Sequence, residues 1–166
     1  QWNVMINMLI NILYKLFPTH PIPDPEGLRF PNDWEARESC MFLRGKSWDN
    51  IQSEELRLHW DAFSWLNATY FHYYLPSVIF LSLQEIKKYK QICNIELSID
   101  SVFYFIAMED VFDEKWKLFS LQQMKLVRIW HTFILKQEHN PELNWHMQNM
   151  NNLIDRLHPK MNKISD

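Results

Sequence analysis

Seven histidines and two cysteines are the side chains of this 166-residue chain best suited to chemistry, and their spacing argues against most of it. A zinc site needs three or four His, Cys or carboxylate ligands within about 2.0–2.3 Å of one ion, and on a helix such ligands are written one turn apart, as in HExxH. His59, His72, His131 and His146 instead fall on separate predicted helices without that pairing. Cys40 and Cys93 form neither a metal-ligand pattern nor a disulfide framework, and neither has a local motif that sets a histidine base beside a thiolate. They read as free thiols, the state kept by a reducing compartment. The adjacent carboxylates Glu54/Glu55 and Glu109/Asp110 point apart if helical, so no general acid/base pair is implied. Gly27 and Gly45 are the chain's two glycines, too few for a phosphate-cradling loop. The expectation is of no catalytic residue, no metal ligand, no cofactor and no enzyme.

One cluster rises above this background. Glu109, Asp110, Asp113 and Glu114 are interleaved with Val111, Phe112 and Trp116 between two predicted helices. Several carboxylates on one surface steer a basic partner, and an aromatic side chain buried on contact supplies affinity. The expected partner-binding residues are therefore Glu109, Asp110, Phe112, Asp113, Glu114 and Trp116. The competing reading is a solvated loop whose Phe112 and Trp116 tuck into the core, with Lys115 and Lys117 partly neutralising the acids.

The elements that must position this cluster read as helices. Composition is 47% hydrophobic and 22% charged, enough for one domain over residues 1–166 to bury a core without staples. The central element is the nearly uncharged stretch 67–83, NATYFHYYLPSVIFLSL, with Asn67 as its cap. Pro76 lacks an N–H for the carbonyl of His72, which predicts a kink or a break near Leu75. Before it, Met5, Met8, Leu9, Ile12, Leu13 and Leu16 recur at helical spacing up to Pro18. Residues 18–31 carry five prolines and are expected to run extended over the surface as a stiff connector, with a proline-rich ligand as the other possibility. Asn32 with Glu35, Ser47, Ser53, Asp100 or Ser101, Ser120 with Gln123, and Asn140 with Pro141 are the further start signals; Gly45 and Pro159 are stops. Leu56, Trp60 and Phe63 are expected on one inward face. The prediction is an all-α, single-domain bundle of six or seven helices around a proline-kinked, aromatic-rich central helix.

Net charge of -3 and a pI near 6.2 argue against direct nucleic-acid binding, which needs a basic face. The central stretch is too short and too polar at its start to span a membrane. VMINMLINILYKLF near the start has no basic leader and no small-residue cleavage site, so a signal peptide is not expected and the chain reads as cytoplasmic. The opening Gln1 is read as an expected added or processed end, with both left open.

FLRGKSWDNI at 42–51, FSWLNATYFHYYLP at 63–76 and FSLQQ at 119–123, with the opening apolar helix and the proline-rich segment, carry a resemblance. The order of features resembles an uncharacterised family of small bacterial helical proteins known as a domain of unknown function, with 84–118 left unaligned. That resemblance implies a helical fold and no known activity; proteins of this kind often neighbour partner-binding immunity functions. Three functions follow as expectations. The first is an immunity or antitoxin-like protein that occludes the basic cleft of a cognate toxin through the acidic-aromatic surface. The second is an enzyme or small-ligand binder with a pocket at the Pro76 kink, formed by His72, Tyr73 and Tyr74. The third is a structural or accessory subunit, which would carry a large apolar patch. The oligomeric state is left open.

Overall fold

A computed structural model describes residues 2–159; Gln1 lies outside them. Among the described residues the chain forms α1 (Trp2–Leu16), α2 (Trp34–Cys40), α3 (Ser53–Leu58), α4 (Ala62–Trp65), α5 (Ala68–Tyr89), α6 (Glu96–Ala107), α7 (Asp113–Trp116), α8 (Leu121–Gln137) and α9 (Leu143–Leu157), joined partly by 3-10 turns and without a strand. The all-α expectation holds. The larger helix count comes from short helices where the sequence suggested loops or one longer helix.

α5 starts where Asn67 caps it, its side-chain oxygen accepting from the Tyr70 N–H at 3.2 Å. It then runs unbroken through Pro76, so the expected break near Leu75 does not occur. A proline inside a helix costs about 3 kcal/mol. Tyr74, Leu75, Val78 and Ile79 have no exposed surface, and each such burial contributes about 1.5–3 kcal/mol. Packing around the proline therefore outweighs the lost hydrogen bond, and Ser77 Oγ donates to the Tyr74 carbonyl at 2.6 Å.

The aromatic residues of α5 hold the irregular parts of the chain. Tyr73 Oη donates to the Thr19 carbonyl at 2.5 Å, Tyr70 Oη to that of Asp24 at 2.6 Å, and Tyr74 Oη to that of Leu43 at 2.7 Å. Residues 18–31 are thus pinned and not simply laid over the surface: Leu28, at the end of the turn Pro25–Leu28, is fully buried. A side chain at Gly27 would force Tyr70 out of this contact, because its Cβ would lie 1.9 Å from the Tyr70 hydroxyl oxygen.

α5 packs against α1, α7 and the turn Trp48–Asn50, while α8 lies between α1 and α9, and α6 against α9. One apolar cluster runs from Ile6 to Ile154 through these helices. Its buried indole N–H groups are satisfied: Trp48 donates to the Phe17 carbonyl at 3.2 Å and Trp130 to Ser82 Oγ at 2.8 Å. Four start signals differ from expectation, among them that of α9, which begins at Leu143 after Glu142 and not at Asn140 with Pro141. Asp33, not Asn32, caps α2, accepting from the Ala36 N–H at 3.0 Å. α6 begins at Glu96, and Ser101 lies inside it, its hydroxyl bonded to the Leu97 carbonyl four residues back. α3 starts after Gln52, whose capping box with Glu55 takes the role given to Ser53, and the chain bends at His59–Asp61, which leaves Trp60 exposed.

Candidate functional site

The acidic segment occupies the connection from α6 to α8. α6 ends at Ala107; a tight turn follows, with the Val111 N–H donating to the Glu109 carbonyl at 2.7 Å and Asp110 in left-handed conformation at φ 62°. Aspartate tolerates that region better than most residues. α7 then forms from DEKW, and Ser120 caps α8.

Two ionic contacts fix this connection from behind. Arg156 of α9 makes a forked pair with Asp113, Nε to Oδ2 at 2.8 Å and Nη2 to Oδ1 at 2.9 Å, and its Nε also reaches Asp110 Oδ1 at 3.3 Å. Lys115 turns inward, its ammonium donating to the carbonyls of Phe63, Ser64 and Leu66 at 3.0, 3.1 and 2.7 Å and lying over the Phe71 and Phe105 rings. Burial pushes this lysine down to about 8, while the three carbonyls at the end of α4 favour the ammonium.

The six expected partner-binding residues divide. Trp116 does not serve as a surface anchor: it is fully buried, donates its indole N–H to the Phe105 carbonyl at 3.2 Å, and packs on Phe71 and Phe119 at 4.9 and 5.0 Å between ring centroids. α7 points it inward because the stretch is helical and not a loop. Phe112 is half-buried against Phe105 at 4.8 Å, and Asp113 is taken up by Arg156. Glu109, Asp110 and Glu114 remain exposed, Glu114 in a surface ion pair with Lys117. The apolar surface beside them comes from Val111, 63% exposed, which the sequence placed in the cluster but not among the partner-binding residues, and from Leu118, 47% exposed, which it did not single out. A groove of about 510 Å³ runs from these two residues to the start of α5 at Asn67, Ala68 and Thr69. The signal for Val111 was its place beside the exposed acids Glu109 and Asp110; nothing local marks Leu118.

The other chemistries find little support in the geometry. His72 Nε2 is 3.0 Å from Gln123 Oε1, and Tyr73 and Tyr74 spend their hydroxyls on carbonyls, so the polar groups expected to converge at Pro76 are engaged elsewhere. Burial pushes the Cys40 thiol up to about 12, which keeps it protonated and unreactive near neutrality. Cys93 is exposed. Among the described residues no group of three or more His, Cys, Asp or Glu could hold a metal ion. Among the same residues no helix is long and apolar enough to cross a membrane.

Residues 27–155 match the model of a family of unknown function, DUF6714. No curated protein and no solved structure matches the chain.

Proposed function

We propose, for a chain that belongs to the DUF6714 family of unknown function and must be read from its own surface, that it is an immunity or antitoxin-like protein of the cytoplasm. It binds a cognate toxin and covers the toxin's basic active cleft without doing chemistry of its own. One observation carries the reading. Glu109, Asp110 and Val111 project from a turn held from behind by the forked Asp113–Arg156 pair and by Lys115 on three carbonyls. A surface loop fixed in this way loses little conformational freedom on binding, which favours affinity. Its carboxylates face water beside an apolar strip, the arrangement that steers a cationic cleft and then excludes water from the contact. A toxin acting on nucleic acid has such a cleft, because phosphate binding requires lysine and arginine.

Tagged protein drawn from the native host, followed by mixing any captured protein's activity with and without this chain, tests the reading. The expected result is stoichiometric capture of one toxic protein that is silenced on mixing. Glu109→Lys with Glu114→Lys then weakens the complex by about tenfold or more, since like charges across an interface repel. A captured protein that keeps its full activity in the complex sinks the inhibitor role. Unchanged affinity in the double variant moves the interface away from this turn.

A further inference from the structure

A second surface, sharing no lining residue with the acidic turn, lies on α1, α8 and α9. A groove of about 470 Å³ is floored by Met5, Ile129, Phe133 and Met147 and flanked by Arg128 and Lys136 of α8. Ile129 is 49% and Met5 37% exposed, so this floor is open to solvent. The charged side chains that line it, Arg128 and Lys136, are both cations. Of the chain's 20 acidic residues only Asp155 falls on these three helices, and it does not line the groove. Neither Arg128 nor Lys136 has an ionic partner among the described residues; Arg128 donates only to Asn151 Oδ1, at 3.2 Å.

We propose that this groove docks an acidic amphipathic helix of a protein partner. Arg128 and Lys136 are two helical turns apart, about 12 Å along α8, which matches the spacing of carboxylates on one flank of a helix laid along the groove. The apolar stripe of that helix would lie on the methionines, whose flexible thioethers adapt to varied side chains. A flat anionic surface reaches the two cations but not the concave floor, and two cations are few for a nucleic-acid backbone. Charge complementarity and concavity together therefore select a peptide helix over a membrane or a nucleic acid.

The test uses the full chain and a fluorescein-labelled peptide of about 15 residues, with leucines at three- and four-residue spacing and glutamates on both flanks. Anisotropy reads affinity, and ¹³C-methyl methionine spectra read location. Saturable binding is expected, with the methyls of Met5 and Met147 shifting. Arg128→Glu with Lys136→Glu is expected to weaken it about tenfold or more, with circular dichroism confirming that both proteins are folded. Three results overturn the proposal: Met5 and Met147 methyls that stay unmoved at millimolar peptide, equal binding of a peptide with lysines replacing its glutamates, or anionic phospholipid vesicles that shift the same methyls and displace the peptide.

Discussion

His131 sits on α8 with neither ring nitrogen hydrogen-bonded among the described residues and its ring edge-on to Phe103, 4.4 Å between centroids. Burial first, and then the neighbouring His146, push it down to about 3. The folded chain thus keeps this imidazole neutral while the unfolded chain protonates it below about 6.5. The unfolded state binds the extra proton between those two values, so the contribution to stability is complete above 6.5 and falls as the pH drops, by up to about 1.4 kcal/mol per pH unit. Urea unfolding of the wild type and of His131→Leu between pH 7 and roughly 4 checks this; the variant is expected to show the flatter pH dependence, and parallel curves would contradict a neutral buried ring. Lys115 is the opposite case, a half-buried cation with all three donors used. Lys115→Met strips the end of α4 of its donors and is expected to lower stability by about 2–4 kcal/mol, read from the urea midpoint.

At the scale of elements, α5 is a post to which loops are tied. Tyr70→Phe and Tyr73→Phe each remove one hydroxyl bond to residues 18–31. Each is expected to cost about 1 kcal/mol and to speed amide exchange in that segment while leaving the helical dichroism unchanged. Unaltered exchange in 18–31 would mean that the segment is held by Leu28 alone. The start of α8 is a second tie point. The Ser120 and Gln123 capping box is complete, and Gln123 also donates to the Leu16 carbonyl at 2.8 Å, closing α8 onto the end of α1. Ser120→Ala is expected to cost about 1 kcal/mol, and Gln123→Ala more, because it releases α1 as well; thermal unfolding ranks the two.

At the scale of the whole molecule, two surfaces of opposite character stand out on a chain whose net charge is only -3. The exposed acids of the α6–α7 turn face one surface, and the groove on α1, α8 and α9 presents cations nearly free of acids. Arg156 separates two accounts of the acidic turn. Arg156→Met makes it more negative but removes the fork that fixes Asp113. If the turn acts through its fixed geometry, the variant binds the captured partner more weakly; if net charge alone matters, it binds more tightly, and a titration of the two proteins distinguishes them.

What the sequence by itself determined is what hydrogen bonds within three or four residues decide. Asn67, Ser120 and Gln123 announced their helix starts because the side chain and the N–H it caps are neighbours in the chain. A shortage of glycine and helical spacing of apolar residues likewise set the all-α class. Tertiary structure decided everything that depends on partners far away in sequence. Pro76 stays inside α5 because packing surrounds it on all sides, and the proline-rich segment is pinned because Tyr70 meets Asp24 across 46 residues. The same holds for the acidic cluster. Its carboxylates could be read as a group, but only the fold turned Trp116 into core, drew Asp113 to Arg156 across 43 residues, and left Glu109, Asp110, Val111 and Leu118 facing water. Exposure is a property of what packs behind a residue, and the elements behind these come from α4, α5 and α9.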